Sequence, residues 1–268
     1  MPISPSDLKD IAKAIQTHPC FGRSSIRWVV LTIAIVIFVL YVSTISSSRP
    51  TCVYGDTGES SITININKGL PAQIVVLNED PCVRLIENFL DSTEAKHIIE
   101  KYKSTLARST VTSAEKEETV SSRTSSSSFL PAGSEDGVIA AIESRLLLIT
   151  GIPIPYWETL QLTHYVEDQE YKPHHDWFDQ NSREHDNNRT CTVFCYLNDV
   201  PEAAEGMTEF TKLGLKVQPK LGRAVIWFNC RVDGKGIFCE PMTEHAGRPP
   251  KYGEKFGLNC WARTSKYR

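Results

Sequence analysis

The segment TLQLTHYVEDQEYKPHHDWF, residues 159–178, joins a predicted strand to a candidate metal site. Its first part, residues 159–166, alternates apolar and polar side chains, as a strand with one buried face does. His174 and Asp176 follow at positions i and i+2 of an extended stretch, so their side chains point to the same face. An imidazole and a carboxylate can therefore converge on one metal ion.

Two residues downstream extend this candidate site. His245, in TEHAGRP at 243–249, would be the third ligand. Two histidines and one carboxylate leave three positions open, which suits an Fe(II) that binds a bidentate co-substrate and O2 together, whereas structural zinc closes its shell with four ligands. Lys255 begins the last predicted strand. A buried lysine there requires an anion, and the carboxylate of a co-substrate would supply it.

Helix and strand patterns around this segment predict an α+β fold. Asp91-Ser-Thr-Glu94 is a capping-box pattern at the start of a helix, and a second helix is predicted from Gly137 to about Leu148. Further strands are predicted at 190–198, 224–229 and 256–264. Helices followed by short strands at hairpin spacing indicate helices packed on an antiparallel sandwich or barrel. The serine- and threonine-rich residues 109–128 are predicted to form a mobile loop, a candidate lid.

An apolar run near the N-terminus predicts a membrane anchor. Residues Ile26 to Ile45 give about 30 Å of helix, the thickness of a hydrocarbon core. The preceding flank carries four basic and two acidic residues, so the positive-inside rule leaves the N-terminus in the cytosol. A cleaved signal peptide is the alternative, although no small-residue cleavage site follows directly. The predicted division is a cytosolic tail at 1–25, a transmembrane signal anchor at 26–47, a luminal stalk at 48–77 and a catalytic domain at 78–268.

Cysteine usage agrees with a luminal domain in the secretory pathway. Of the eight cysteines, only Cys20 precedes the anchor, and seven would lie where disulfides persist. Because seven is odd, at least one thiol is free or pairs between chains. Cys191 and Cys195 lie four residues apart in a predicted strand, too far to bond each other. Asn188-Arg-Thr190 is an N-glycosylation sequon, so Asn188 is a candidate glycan site.

The composition excludes several classes of protein. With 41% hydrophobic and 23% charged residues, the chain is neither collagen-like nor disordered. A formal net charge of −3 argues against a nucleic-acid partner, which a strongly basic face would bind.

From about residue 78 to residue 268, the chain resembles the prolyl 4-hydroxylase family of Fe(II)/2-oxoglutarate dioxygenases, especially its membrane-anchored type. The matching stretches are RTS at 123–125, ETLQL at 158–162, Y…YKPHHD between 165 and 176, TVFCYLNDV at 192–200, GMTEF at 206–210, KVQPKLGRA at 216–224, and HAG…GEK between 245 and 255. The resemblance implies a double-stranded β-helix, or jelly-roll, core with flanking helices.

The same resemblance implies roles for individual residues. His174, Asp176 and His245 would bind iron, and Lys255 would pair with the distal carboxylate of 2-oxoglutarate. Tyr165 would donate a hydrogen bond to that co-substrate. The residues expected to line a peptide groove are Arg123, Glu158 and Trp261.

The implied reaction is that of a procollagen-proline 4-dioxygenase: O2 and 2-oxoglutarate convert peptidyl proline to 4-hydroxyproline, with release of succinate and CO2. L-ascorbate is the expected reductant and a proline-rich peptide the expected substrate. The enzyme is expected to sit in the endoplasmic reticulum or Golgi membrane and to act without an obligatory second subunit. Two alternatives stay open: hydroxylation of a lysyl residue or small molecule, or a non-catalytic scaffold subunit with the same fold.

Overall fold

The computed structural model describes residues 61–66, 71–112, 117–118 and 121–268. The predicted cytosolic tail and transmembrane anchor lie outside these ranges. In the part of the chain that is described, no helix is both long enough and apolar enough to cross a bilayer.

Antiparallel strands make up most of the described domain. In chain order they are β1 (Ser61–Ile64), β2 (Ala72–Asn78), β3 (Val83–Glu87), β4 (Ala107–Arg108), β5 (Val111–Thr112), β6 (Glu117–Glu118), β7 (Ser126–Phe129), β8 (Gln161–Tyr165), β9 (Tyr171–His174), β10 (Arg189–Tyr196), β11 (Thr208–Phe210), β12 (Leu215–Val217), β13 (Ala224–Phe228), β14 (Cys230–Asp233), β15 (Gly236–Cys239), β16 (His245–Gly247) and β17 (Lys255–Arg263).

These strands form a larger and a smaller sheet, with two short two-stranded pairs. The larger sheet has the order β1-β2-β3-β13-β10-β17-β8-β7-β4, and the smaller sheet has the order β12-β11-β16-β9. The remaining pairs are β14 with β15 and β5 with β6. The two main sheets correspond to the antiparallel layers expected of a jelly roll.

Side-chain alternation along the larger sheet separates two apolar layers. Cys191, Val193 and Cys195 of β10 pack in one cluster with the helices, whereas Phe194 and Tyr196 pack in the other. That second cluster also holds residues of β11 and β12, so it lies between the two sheets. Side chains from both sheets therefore fill part of the space between them.

Two α-helices in the described residues cover the outer face of the larger sheet. The first, α1 (Ser92–Tyr102), has the predicted capping box, in which Asp91 and Glu94 each accept from the other's backbone N–H. The second, α2 (Gly137–Thr150), is capped by Asp136, whose carboxylate also accepts from Lys101 and Tyr102 of α1. The prediction of helices packed on a sheet is confirmed, although sheet dominates.

The predicted stalk boundary is wrong for part of its range. Strand β1 and most of β2 fall within 48–77, yet β1 pairs with β2 and β2 pairs with β3. The side chain of Ala72 is completely buried. The sheet therefore begins inside the predicted stalk, because β1 and β2 extend its edge beyond β3.

The serine-rich stretch is also more ordered than its composition indicated. Strand β7 lies in the larger sheet beside β8. Ser125 is completely buried, and its hydroxyl is 2.9 Å from that of Ser109. Small hydroxylated side chains here bond to one another inside the fold, so the prediction of a mobile loop is wrong for residues 121–128.

A disulfide between Cys230 and Cys239 closes the β14–β15 hairpin. Among the described residues, Cys191, Cys195 and Cys260 are free and buried. Burial raises the pKa of the Cys191 thiol above its ordinary value. The predictions that a free thiol exists and that Cys191 and Cys195 do not bond are confirmed.

Candidate active site

Two strands of the smaller sheet bring the predicted metal ligands together. His174 ends β9, His245 begins β16, and the two residues pair across the sheet. Asp176 Oδ1 lies 3.7 Å from His174 Nε2, and its Oδ2 lies 3.7 Å from His245 Nε2. One atom of each residue falls within 4.8 Å of the others, so a single ion can contact all three. The grouping predicted from the sequence is present.

Hydrogen bonds to backbone carbonyls orient both imidazole rings. His174 Nδ1 donates to the carbonyl of Lys172 at 2.8 Å, and His245 Nδ1 donates to that of Thr243 at 3.0 Å. A carbonyl oxygen only accepts, so each Nδ1 carries the proton and each Nε2 presents its lone pair. Burial lowers the pKa of His174 well below its ordinary value. Its ring is neutral at pH 7, as a metal ligand requires.

A chain of buried hydrogen bonds holds the carboxylate. Thr192 Oγ1 donates to Asp176 Oδ2 at 2.7 Å, and Asn229 Nδ2 donates to Thr192 Oγ1 at 2.8 Å. Burial by itself would raise the pKa of Asp176, but the two imidazoles, Arg189 and the Thr192 hydroxyl outweigh it, so the pKa is lowered. The carboxylate is therefore ionised and fixed in orientation.

Lys255 and Tyr165 reach the same cavity from the larger sheet. They are paired in register between β17 and β8, and Lys255 Nζ lies 5.0 Å from the centre of the Tyr165 ring. Lys255 is 1% exposed, and among the described residues none bonds to its ammonium group. Burial lowers its pKa to about 7. Both residues line the cavity that also holds the three metal ligands.

Unpartnered donors in this cavity fit an anionic ligand. The indole N–H groups of Trp227 and Trp261 are buried and have no hydrogen-bond partner in the described part of the chain, and both rings line the cavity. Buried polar groups are normally satisfied. A dicarboxylate bound between the metal and Lys255 would bring acceptors to this surface, so the residues present fit both Fe(II) and 2-oxoglutarate.

An adjoining groove, with a volume of about 120 Å³, shares Tyr171, Asp176 and Trp261 with the inner cavity. Arg123 lines this groove although it is 5% exposed. Its guanidinium donates to Gln161 Oε1 at 2.8 Å and lies 4.9 Å from the centre of the Tyr171 ring. Arg123 and Trp261 both line this groove, and their expected contact with a peptide stays a prediction.

Glu158 does not line the groove, which corrects its predicted role. Its carboxylate accepts from Arg189 at 2.7 and 2.9 Å, and Arg263 Nε lies 2.5 Å from it. Burial opposes its ionisation, but the two arginines lower its pKa. Arg189 lines the groove instead, 3.8 Å from the centre of the Trp261 ring. Glu158 acts on the groove only by holding Arg189.

Asn188 is not an accessible glycan acceptor in the folded domain, so that prediction is wrong here. The residue is completely buried. Its Nδ2 donates to the carbonyl of Phe178 at 2.8 Å, and its Oδ1 accepts from the Phe178 amide at 2.8 Å. The side chain ties down the loop after β9, which leaves no room for a sugar.

Sequence reasoning missed three residues of the site. In the sequence, Arg189 is the middle residue of the sequon, and its position at the start of a predicted strand is the signal that could have identified it. Thr192 and Asn229 carry no local signal, because their contact depends on the pairing of β10 with β13.

Sequence comparison places the chain among known proteins. Residues 160–263 match the model of the 2OG-Fe(II) oxygenase superfamily. "Probable prolyl 4-hydroxylase 3" of Arabidopsis thaliana is 32% identical over 213 residues, which cover 72% of this chain and 73% of that protein. "Prolyl 4-hydroxylase 5" of the same plant is 32% identical over 217 residues, or 73% and 72% of the two chains.

A solved structure supports the same grouping. The viral collagen prolyl hydroxylase of Paramecium Bursaria Chlorella virus-1, in complex with 2OG, is 26% identical and superimposes with a TM-score of 0.56. The match covers 68% of this chain and 96% of the viral one.

Proposed function

The chain belongs to the prolyl 4-hydroxylase family of Fe(II)/2-oxoglutarate dioxygenases, and on this premise we propose how its residues divide the reaction. It converts peptidyl proline to 4-hydroxyproline with O2 and 2-oxoglutarate, releasing succinate and CO2. The observation that carries this conclusion is the shared cavity, which joins His174, Asp176 and His245 to Lys255.

The metal triad would hold Fe(II) through His174 Nε2, His245 Nε2 and an Asp176 oxygen. When bound, the iron supplies O2 activation coupled to oxidative decarboxylation of 2-oxoglutarate. Hydrogen bonds from Nδ1 turn Nε2 of both imidazoles toward the metal position, and the protein keeps the carboxylate ionised. Thr192 holds one carboxylate oxygen, which limits how Asp176 can rotate.

Lys255 would pair with the distal carboxylate of 2-oxoglutarate. Its burial leaves the ammonium poorly solvated, so a carboxylate replaces water that the cavity excludes. Tyr165 pairs in register with Lys255 and lines the same cavity, which suits its hydroxyl to donate to the same co-substrate.

The groove would bind a proline-rich peptide. Aromatic rings and guanidinium groups line it: Tyr171, Trp177, Phe178, Trp261, Arg123 and Arg189. Aromatic-lined grooves suit polyproline II segments, which have free carbonyls and are already extended before binding. The arginines donate to such carbonyls, and the rings pack on the pyrrolidines.

The catalytic domain would lie in the lumen of the endoplasmic reticulum or Golgi, held by the apolar segment 26–47. The Cys230–Cys239 disulfide supports an oxidising compartment. L-ascorbate would serve as reductant, and no second subunit would be obligatory. In sealed microsomes, residues after 50 should resist added protease until detergent opens the membrane. Cleavage without detergent would reverse the proposed topology.

Turnover by the full-length protein in detergent tests the function. With Fe(II), 2-oxoglutarate, O2 and ascorbate, proline-rich peptides should gain one oxygen atom for each succinate released, and their hydrolysates should contain 4-hydroxyproline. His245→Ala should abolish both signals. Hydroxylation of lysyl peptides or small molecules alone would favour a hydroxylase of another substrate. Identical results with wild type and His245→Ala would favour a non-catalytic scaffold subunit.

A further inference from the structure

The β14–β15 hairpin is held together at its base by a disulfide. Among the described strands, β14 and β15 pair only with each other, and an isolated two-stranded hairpin is marginally stable in water. Cys230 and Cys239 are the pair of opposite residues nearest the base, and their sulfurs are bonded. The covalent bond therefore fixes the separation of the two hairpin ends more firmly than backbone hydrogen bonds alone.

The first end of the hairpin leads to the metal ligand Asp176. Asn229 precedes Cys230 directly and is completely buried. Its Nδ2 donates to the Thr192 hydroxyl, which donates to Asp176 Oδ2. The amide of Asn229 donates to the Thr190 carbonyl at 2.8 Å, and Thr190 Oγ1 donates to the Cys230 carbonyl at 2.6 Å. A displacement of Cys230 would therefore move the group that holds the carboxylate.

The second end of the hairpin leads to the metal ligand His245. Glu240 follows Cys239 directly, and its amide donates to the Asn229 carbonyl at 2.7 Å. The Glu240 carbonyl accepts from the Thr243 amide at 3.2 Å and from the Thr243 hydroxyl at 2.7 Å. The Thr243 carbonyl in turn accepts from His245 Nδ1. Two short chains of hydrogen bonds thus run from the neighbours of the bonded cysteines to two of the three metal ligands.

The two bonded cysteines differ in their access to solvent. Cys230 is 4% exposed. Cys239 is half-buried and, with Ile237, Trp177 and Phe178, lines a cavity of about 430 Å³. Thiol–disulfide exchange requires a thiolate to reach one of the two sulfurs. A reductant that enters this cavity would attack at Cys239 and release Cys230.

We propose that the Cys230–Cys239 disulfide positions Asp176 and His245 for metal binding, and that a dithiol which reduces it lowers the metal affinity. The proposal rests on the proposed function and adds a thiol-sensitive control to its metal site. A thiolate of the dithiol attacks Cys239 Sγ, the S–S bond breaks, and Cys230 leaves as a thiolate that takes up a proton. The second thiol of the dithiol then displaces Cys239, which also becomes a thiol. The protein gains two electrons and two protons, and the dithiol becomes a disulfide.

The Mn(II) affinity of the full-length protein in detergent tests this proposal. Mn(II) is the probe because it prefers harder ligands than thiolates, so the freed cysteines compete little for it. The electron paramagnetic resonance signal of unbound Mn(II) gives the dissociation constant. Protein reduced with dithiothreitol, and then desalted under argon, should bind Mn(II) about tenfold more weakly than oxidised protein. Reoxidation should restore the affinity. Circular dichroism selects a temperature at which every form is folded.

Variants assign the response to this disulfide. The double variant Cys230→Ser with Cys239→Ser should bind Mn(II) as weakly as reduced wild type, with or without reductant. Cys82 is also disulfide-bonded, so Cys82→Ala is the matched control and should keep the response of about tenfold. Thr192→Val should respond less than wild type, because it cuts one of the two hydrogen-bonded routes to the ligands.

Amide hydrogen exchange provides a second measurement, made on metal-free protein. Reduction should speed exchange of the Glu240 amide, since its bond to the Asn229 carbonyl lies at the loosened base of the hairpin. Reduction should also lower the unfolding midpoint, as loss of a cross-link does.

A lower unfolding midpoint with unchanged Mn(II) affinity would make the disulfide a stabilising cross-link only and would overturn the proposal. A double variant that still responds to reductant would overturn it as well. If oxidised wild type binds Mn(II) no more tightly than His245→Ala, the metal site of the proposed function fails instead.

Discussion

Two sets of buried charged side chains lie next to the metal site, and they differ in whether each charge has an opposite partner. Glu158, Arg189 and Arg263 form a cluster in which each charge has an opposite partner. Lys255 is buried more deeply, at 1% exposure, and has no such partner among the described residues. A buried charge is tolerated only when it is paired or when a ligand will pair it. The paired cluster therefore serves stability, and the unpaired lysine serves binding.

The largest expected effect is the loss of stability on breaking the cluster. Glu158→Gln leaves Arg189 and Arg263 without their shared counter-charge and should reduce the free energy of unfolding by about 3–5 kcal/mol. Urea unfolding measures it. Glu100→Gln is the control, because its partner Lys96 lies 3.7 Å away on the surface, and that change should cost less than about 1 kcal/mol. Equal losses of unfolding free energy in the two variants would show that the buried cluster and the surface ion pair contribute alike to stability.

Removal of the unpaired charge should act on binding and not on stability. Lys255→Met should weaken 2-oxoglutarate binding by about 2–5 kcal/mol, or roughly 30-fold to several thousand-fold. The unfolding midpoint should hold or rise, because a desolvated ammonium group is removed. Calorimetry with Mn(II)-loaded protein measures the affinity. A variant that unfolds more easily yet binds 2-oxoglutarate normally would contradict the assignment.

Removal of an uncharged hydrogen bond tests whether a buried residue that has its own partner also contributes to metal binding. Thr192→Val removes the hydrogen bond to Asp176 and should lower metal affinity by about 10- to 100-fold. Titration with Co(II), followed by its visible absorption, measures this affinity, and Thr192→Ser should restore it. Thr163→Val is the control, since its hydroxyl bonds to the Gly257 carbonyl at 3.2 Å away from the ligands. Unchanged Co(II) affinity in Thr192→Val would show that Asp176 needs no such support.

The smallest expected effect is the dependence of 2-oxoglutarate affinity on pH. Burial lowers the pKa of Lys255 to about 7, so the ligand-free protein carries this proton below pH 7 and loses it above. A bound carboxylate raises that pKa, so 2-oxoglutarate affinity should fall about tenfold per pH unit above pH 7 and stay flat just below it. The penalty for burying charged Lys255 is present below pH 7 and is relieved as pH rises toward its ordinary pKa.

Calorimetry in buffers of different ionisation enthalpy would detect this proton uptake. Lys255→Arg stays protonated and should remove the pH dependence of whatever affinity remains. An identical slope in wild type and Lys255→Arg would mean that another group titrates.

The two sets of buried charges also show which site residues, and which of their roles, can be predicted from the sequence. The sequence predicts the role of Lys255, because this residue lies ten positions after His245 at the start of a predicted strand. Glu158 was matched to the right region but to the wrong role, since its two arginine partners lie 31 and 105 residues away along the chain. A three-residue pattern predicts a glycan at Asn188, whereas the burial of this residue depends on the packing of a loop.

Spacing along the sequence determined the contacts between residues that lie only two or three positions apart. His174 and Asp176 share a face because a strand alternates with period two, and Asp91 with Glu94 caps a helix because they are three residues apart. Only the tertiary structure decided the pairings across strands. It set Lys255 opposite Tyr165, brought Asn229 to Thr192, and placed Ile237 beside the aromatic residues of the groove. Strand register is a property of two distant segments packed together, so no single stretch of the chain contains it.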